Sequence, residues 1–173
     1  MLFRSYSGGD TWDFDYVAGD ELPVVGTELG VFGLAMCSEV YVPEVARALA
    51  LQGAEVIFIP AGNDKKLLWE TWRTLIWARA IENLAVVVTT QNLYGPERGL
   101  AMVATPEAVV LEEEGPGCFV VDVDLERPRR LRAEIDQPGS GTRYAVKAGL
   151  LTQWRRPELY EQLARSEVPG AAR

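Results

Sequence analysis

The sequence predicts an α/β fold, and three observations support that prediction. An apolar run at residues 30–37 is followed by a helical pattern and then by a second apolar run, AEVIFIP. These three pieces form a strand-helix-strand unit of about 30 residues. A second helical stretch leads into a third, β-branched run, AVVVTT. Apolar runs without polar interruptions are typical of strands that are covered on both faces.

The first elements follow one another closely along the chain. Residues 1–29 show no sustained period, so we interpret them as an irregular lead-in with a short strand at residues 22–25. The strand GVFGLAMC ends at Cys37. Pro43 then starts a helix, because the N–H that proline lacks would be unpaired in a first helical turn. Gly53 is expected to end that helix in a left-handed conformation. The predicted buried stripe consists of Val45, Ala48, Leu49 and Gln52.

The later elements are predicted from the same kinds of pattern. A second helix is expected over residues 64–84, and two strands, LAMVATPEAVVLEEE and GCFVVDVDL, follow after residue 100. From residue 126 the chain is polar and loop-rich up to the short amphipathic segment PELYEQLAR, and residues 161–173 are expected to form a flexible tail. The length predicts a single domain over residues 1–173. The stripe that the second helix is expected to bury contains Leu68, Trp72, Leu75 and Ile76.

Composition excludes several classes of function. The 173 residues contain no histidine, so Ser-His-Asp triads, Cys-His dyads and imidazole metal sites cannot be built, and we expect neither a metal nor a cofactor. The net charge of -8 argues against nucleic acid or an anionic membrane as a partner. The amino terminus lacks the features of a secretory signal, so we expect a cytoplasmic protein with both cysteines reduced.

Cys37 is the first candidate functional residue, because it stands at the end of a predicted buried strand and shortly before a helix. α/β folds place ligands at such strand ends, and the positive end of a helix favours anionic groups. A free cysteine is also often just a small buried apolar residue, so position alone leaves both interpretations open. Glu39 and Glu44 follow two and seven residues later and could bring a carboxylate near the thiol.

The sequence from residue 30 to 62 resembles the nucleophile region of the nitrilase superfamily of carbon–nitrogen hydrolases, G-x-x-I-C-Y-D-x-x-F-P-E followed by A-R and G-A-(D/E). The stretch WARAIENLAVVVTTQN resembles that family's R-A-x-E-N block, and the resemblance extends from about residue 19 to residue 160. The matching residues are Cys37, Glu39, Pro43, Glu44, Arg47, Gly53, Ala54, Glu55, Pro60, Arg79, Ala80, Glu82, Asn83 and Asn92.

The resemblance implies a nitrilase-like four-layer α-β-β-α sandwich, truncated at its amino terminus, and a mechanism based on Glu, Lys and Cys. It implies that Cys37 is the nucleophile, that Glu44 is the family's additional glutamate beside the site, and that the backbone N–H of Ser38 stabilises the oxyanion. Arg4 falls near the position of the family's lysine, although a guanidinium cannot give up its proton. The family's general-base glutamate would precede the first residue of this chain.

Three functional hypotheses follow. The first is hydrolysis of an amide or nitrile through a cysteine thioester, giving a carboxylic acid and ammonia or an amine. The second is a non-catalytic binding protein on the same scaffold, which the missing glutamate and Arg4 favour. The third, a thiol redox protein, is disfavoured because no resolving cysteine is near Cys37 and because Cys118 fits a buried strand.

Partners are expected to be few. Tyr41, Gln91 and Asn92 follow the nucleophile or a strand end and are candidates for binding a small-molecule substrate, but turns require the same residue types, so both interpretations stay open. Amide, ureido and nitrile substrates all fit this sequence. A homodimer or a higher homo-oligomer is implied by the resemblance.

Overall fold

The computed structural model describes residues 20–62, 68–91, 99–135 and 144–164. Within these residues the strands form one mixed sheet in the order in which they occur along the chain. The strands are β1 (Val24–Gly26), β2 (Val31–Leu34), β3 (Val56–Phe58), β4 (Val86–Thr89), β5 (Ala101–Ala104) and β6 (Val109–Glu113).

Three α-helices and three 3-10 helices accompany the sheet in the described part of the chain. The α-helices are α1 (Pro43–Leu51), α2 (Trp69–Asn83) and α3 (Glu126–Ala133). The 3-10 helices are Cys37–Tyr41, Pro157–Leu159 and Glu161–Ala164. None of the helices seen in residues 20–62, 68–91, 99–135 and 144–164 has the length and apolar character needed to cross a membrane.

The predicted strand-helix-strand unit is confirmed. Strands β2, β3 and β4 pair in parallel, with α1 connecting β2 to β3 and α2 connecting β3 to β4. The pairs β1–β2, β4–β5 and β5–β6 are antiparallel. The carboxyl ends of the three parallel strands therefore lie along one edge of the sheet.

Helices α1 and α2 cover one face of the sheet and form the main core with it. Ile57 and Val87 of the sheet are fully buried against this layer, as are Leu49 of α1 and Ile76 of α2. A Cβ atom at Gly33 would lie 3.1 Å from the Cβ of Ala54, so the glycine permits the close approach of this layer to β2.

The buried stripes of both helices differ partly from the prediction. Val45 and Leu49 of α1 are buried as expected, but Ala46 and Ala50 take the places predicted for Ala48 and Gln52. In α2, Trp72 and Ile76 are buried, whereas Leu68 is exposed and Leu75 only half-buried. In α2 the reason is that the helix also buries polar residues, one against the turn before α1 and one against its own backbone, and an apolar pattern does not show this. Those residues are Arg79 and Asn83.

The opposite face of the sheet is apolar and largely open. Phe32 and Phe58 stack there with ring centroids 5.8 Å apart, and Leu34 is 51% exposed. An extended segment, residues 117–125, crosses part of this face and points Val121 and Val123 toward it. We call the exposed apolar residues Leu34 and Phe58, with their neighbour Phe32, the open sheet face.

The strand predicted for GCFVVDVDL is wrong. Residues 118–124 pair with none of the described strands, and Val121 and Val123 line a cavity over this side of the sheet together with Phe32, Val56 and Val86. Cys118 is exposed rather than buried in a strand.

Helix α3 was not predicted, because its sequence ERPRRLRA offers only Leu131 as a large apolar side chain. Leu131 is fully buried beside Leu84, and polar contacts add to this packing. Arg129 pairs with Glu55, and the guanidinium of Arg132 donates to the carbonyl oxygens of Leu84 at 2.8 Å and Ala54 at 2.6 Å.

The described residues form one sheet with a helix layer on one face, which corresponds to two layers of the four-layer sandwich that the resemblance implies. The strand predicted at residues 22–25 is present as β1. Residues 1–19 of the predicted lead-in lie outside the described residues, and so does the part of the predicted tail that follows Ala164.

Candidate functional site

Residues 36–42, here called the cysteine turn, connect β2 to α1 and carry the predicted nucleophile. Cys37 is the first residue of a 3-10 helix and has φ +48°. Only glycine adopts such left-handed values readily, and other residues there are concentrated at functional sites. The N–H of Cys37 donates to the carbonyl oxygen of Pro60 at 2.9 Å, so the end of β3 helps to hold this conformation.

Further hydrogen bonds close the cysteine turn upon itself. The carboxylate of Glu39 is buried and accepts from the N–H of Met36 at 2.7 Å. The N–H of Glu39 donates to the carbonyl oxygen of Met36 at 3.0 Å. The N–H of Val42 donates to the carbonyl oxygen of Glu39, also at 3.0 Å. The local sequence therefore fixes the backbone on both sides of Cys37.

The thiol of Cys37 is half-buried, and the hydroxyl of Ser38 lies 3.9 Å from Sγ. The backbone N–H of Ser38 donates no hydrogen bond to any residue that the structure describes. An N–H next to a nucleophile that has no partner in the protein can donate to a substrate oxygen. The oxyanion role of Ser38 stays a prediction, and this geometry is compatible with it.

Glu44 is not hydrogen-bonded to the thiol. It lies exposed in the first turn of α1, where the helix dipole stabilises an acidic side chain, and it forms no hydrogen bond to Cys37. Its proposed catalytic role stays a prediction. Arg4 and Asn92 lie outside the described residues.

Tyr41 has a visible packing role. Its ring meets the buried ring of Trp72 edge-on, with centroids 6.1 Å apart, and part of Tyr41 remains exposed. Trp72 in turn donates from Nε1 to Oγ1 of Thr89 at 3.4 Å, and Thr89 donates to the carbonyl oxygen of Ile59 at 2.7 Å. The cysteine turn is thus linked through α2 to the central strands.

Gln91 follows β4 and pairs in parallel with Ala61, which follows β3. Its side-chain Nε2 is buried and has no acceptor among the residues described here. Gln91, Cys37 and Pro60 follow successive parallel strands at the carboxyl edge, which is where open α/β sheets bind ligands. Gln91 lines a cavity of about 480 Å³ together with Thr89, Leu100, Met102, Cys118 and Phe119.

Sequence reasoning missed how the R-A-x-E-N block contacts the cysteine turn. Arg79, only 5% exposed, donates from Nε to the carbonyl oxygen of Val40 at 2.9 Å. Its Nη1 pairs with Glu82 at 2.7 Å, and Nδ2 of Asn83 donates to the carbonyl oxygen of Arg79 at 2.9 Å. Arg79 and Val40 are 39 residues apart, so spacing alone could not reveal this contact.

Arg47 of α1 lies near the same group. Burial lowers the pKa of Arg47, the nearby charge of Glu82 opposes that shift, and Arg155 adds to it. Within residues 20–62, 68–91, 99–135 and 144–164, no group of three or more acidic, cysteine or histidine side chains could hold a metal ion.

Comparisons with known proteins agree with this arrangement. Residues 1–133 match the model of the carbon-nitrogen hydrolase family. A deaminated glutathione amidase from Synechocystis sp. is 33% identical over 138 residues, which cover 74% of this chain and 51% of that protein.

Two solved structures extend the comparison. A carbon-nitrogen hydrolase from Helicobacter pylori G27 superimposes with a TM-score of 0.69 at 21% identity, covering 88% of this chain and 56% of that one, and shows the shared fold. A variant of the amidase from Nesterenkonia sp. AN1 superimposes with a TM-score of 0.58 at 27% identity, covering 68% of this chain and 49% of that one. That structure shows acrylamide added at its active site cysteine.

The chain spans about half the length of these relatives. The family match covers most of its residues, and the superposition on the Helicobacter pylori structure covers 88% of the chain. The resemblance to the nitrilase superfamily is thereby confirmed, and the chain belongs to the carbon–nitrogen hydrolase family.

Proposed function

We propose that this chain carries the nucleophile of a carbon–nitrogen hydrolase and that Cys37 attacks a non-peptide amide. The observation that supports this proposal most directly is the cysteine turn. It holds a half-buried thiol in a left-handed conformation at the carboxyl edge of the parallel strands. The covalent addition at the active site cysteine of the Nesterenkonia amidase supports the same chemistry.

In the proposed reaction, the sulfur of Cys37 forms a bond to the amide carbon and the carbonyl oxygen becomes an oxyanion. The N–H of Ser38 donates to that oxygen. The C–N bond then breaks, and ammonia or an amine leaves with the proton that the thiol of Cys37 gave up. A thioester remains on Cys37. Water attacks the thioester and releases a carboxylic acid and the free thiol.

Binding and proton transfer are assigned to the remaining predicted residues. The unpartnered Nε2 of Gln91 would donate to an oxygen of the substrate, and Tyr41 would line the site from the cysteine turn. Glu44 would exchange protons with the reacting groups from the solvent side, where no hydrogen bond to another described residue restrains it. Arg4 and Asn92 would contribute charge and an amide group, respectively.

An amide is proposed ahead of a nitrile because the relatives are named as amidases, among them the deaminated glutathione amidase of Synechocystis. We propose a homodimer as the working form, since the open sheet face leaves apolar side chains exposed. The cytoplasmic location stays a prediction.

The test is the release of ammonia or amine by the 173-residue chain from a panel of amides that includes deaminated glutathione. Cys37→Ala is expected to lower the rate to background, which for loss of a covalent nucleophile means roughly 10³-fold or more. Cys118→Ala is the matched control for loss of a thiol, and because Cys118 lines the cavity of Gln91, its rate should fall far less than that of Cys37→Ala. Mass spectrometry should find the acyl group on Cys37. Equal rates for Cys37→Ala and the original chain would exclude the thiol mechanism.

A second candidate function, a non-catalytic binding protein, is favoured by one observation. Glu44, the carboxylate predicted beside the thiol, forms no hydrogen bond to Cys37. This candidate predicts that no amide is hydrolysed and that no acyl group accumulates on Cys37, while the chain remains folded.

A further inference from the structure

In the described part of the chain, α2 contacts the cysteine turn through the ring of Trp72 and through a side-chain hydrogen bond from Arg79. Arg79 reaches from that helix to the carbonyl oxygen of Val40, whose own side chain is also buried. The other hydrogen bonds of the turn described above come from the turn itself or from Pro60 at the end of β3. Arg79 therefore couples the position of the turn to the position of a 15-residue helix.

An arginine is a costly choice for this contact if its purpose is packing alone. Removing a guanidinium from water carries a penalty of several kcal/mol, which the ion pair and hydrogen bonds offset only with good geometry. An apolar side chain of similar volume could join α2 to the turn without that penalty. The arginine fixes the orientation of the turn, because its planar guanidinium donates to Val40 and to Glu82 with a set geometry.

We propose that Arg79 is a positioning residue that aligns the N–H of Ser38 with the oxygen of a substrate bound at Cys37. By fixing the carbonyl of Val40, it prevents the short 3-10 helix from rotating about its anchor at Pro60. Glu82 and Asn83 hold the guanidinium and backbone of Arg79 in place. This inference rests on the proposed function, because it assumes that Cys37 is the nucleophile.

Two reactions of the Cys37 thiol distinguish a change in the alignment of the Ser38 N–H from a change in the accessibility of the thiol. Acylation of Cys37 by p-nitrophenyl acetate forms a sulfur–carbon bond and a transient oxyanion, then expels p-nitrophenolate, and the thiol proton passes to water. Alkylation by iodoacetamide forms a sulfur–carbon bond and expels iodide without any oxyanion. Only acylation should therefore depend on the alignment of the Ser38 N–H.

The experiment measures both rates on the full chain carrying Cys118→Ser, so that Cys37 is the only thiol. Arg79→Met is expected to slow acylation by roughly tenfold or more, within the 10²–10³-fold effect of removing an oxyanion donor altogether. Alkylation should change by less than about twofold, because it requires no such donor. Arg79→Lys should restore part of the acylation rate, since an ammonium can donate to Val40 but cannot also reproduce the pairing with Glu82.

Arg73→Met is the matched control, because Arg73 lies on the same helix but pairs with Glu112, away from the turn. Both of its rates should equal those of the parent chain. A folded Arg79→Met variant whose two rates fall in parallel, or whose acylation rate is unchanged, would overturn the inference. If Arg79→Met shows no cooperative unfolding, the test uses Arg79→Lys instead. A ratio of acylation rate to alkylation rate in Arg79→Lys that equals the ratio in the parent chain would overturn the inference.

Failure of the proposed function would look different. In that case the parent chain with Cys118→Ser would show no acyl group on Cys37, or Cys37→Ala would consume the ester as fast as the parent. Acylation that depends on Cys37 but not on Arg79 would leave the proposed function intact and reject only the positioning role.

Discussion

At the scale of single residues, Arg132 shows how this chain ends a helix without a glycine. Helix α2 is followed by Leu84, which is fully buried and has φ +46°. Helix ends leave carbonyl oxygens without partners inside the helix. The guanidinium of Arg132 donates to the carbonyl oxygen of Asn83 at 3.2 Å. It also donates to the carbonyl oxygens of Leu84 and Ala54 at shorter distances.

Replacing Arg132 by methionine should therefore destabilise the protein. The carbonyl oxygens of Leu84 and Ala54 would lose a charged donor, and a loss of about 2 kcal/mol in the free energy of unfolding is expected. Urea denaturation followed by circular dichroism measures this difference. Arg130→Met is the control, because Arg130 lies two residues earlier in the same helix and its side chain is exposed. Equal losses in the two variants would show that the carbonyl contacts of Arg132 do not stabilise the fold.

At the scale of secondary-structure elements, charged contacts add to the burial of Leu131 in joining α3 to the rest of the fold. Arg129 pairs with Glu55, which lies just before β3, and the same carboxylate accepts from the N–H of Val31 at 2.9 Å. The hydrogen bond from Arg129 lowers the pKa of Glu55 below its ordinary value, burial opposes this shift, and the bond from Val31 adds to it.

This shift predicts the direction of a pH dependence. The pKa of Glu55 is lower in the folded state, so its interactions stabilise the fold fully above the ordinary carboxyl range. That contribution is lost as the pH falls through the lowered pKa. Urea denaturation at a series of pH values should show a smaller loss of stability on acidification for Glu55→Gln than for the parent chain.

Glu113→Gln is the control for this series, because Glu113 is an exposed carboxylate on β6, remote in sequence from α3. Its acid dependence should match that of the parent chain. If Glu55→Gln also matched the parent at every pH, the ion pair would not contribute to the attachment of α3.

At the scale of the whole molecule, the two faces of the sheet are unequal. One is covered by α1 and α2, whereas the open sheet face leaves Leu34 and Phe58 partly in solvent. Contiguous exposed apolar surface of this kind marks sites of association. We expect the chain to self-associate through this face.

Sedimentation velocity at micromolar concentration tests that expectation. Leu34→Glu should shift the chain toward monomer, because it places a charge in the contact. Leu159→Glu is the matched control, since Leu159 is also exposed but lies in a 3-10 helix outside the sheet. A parent chain that sediments as a monomer, or equal effects of both substitutions, would contradict association through the open sheet face.

The sequence predicted those parts of the fold that local pattern specifies. Strands β2, β3 and β4 and helices α1 and α2 were predictable, because apolar runs and helical spacing are properties of neighbouring residues. Helix α3 was not, since it is attached by arginines whose partners lie far away in the sequence. The alternation in residues 118–124 does not mark a paired strand, since Val121 and Val123 line a cavity over the sheet and pair with none of the described strands.

The candidate site divides in the same way. The position of Cys37 at a strand end followed from the pattern, and its assignment as a nucleophile from the family resemblance. The contact of Arg79 with Val40 depends on how α2 packs against the cysteine turn, which no local pattern encodes. The unpartnered Nε2 of Gln91 likewise becomes visible only when its surroundings are known.

The φ of +48° at Cys37 also bears on how stability and reactivity are balanced in this chain. For a residue with a side chain, this conformation costs about 1–2 kcal/mol that glycine would avoid. If position 37 served only to connect β2 to α1, glycine would be the more stable choice. If Cys37 is the nucleophile, as we propose, the chain gives up that gain to keep a thiol there, an exchange of stability for activity.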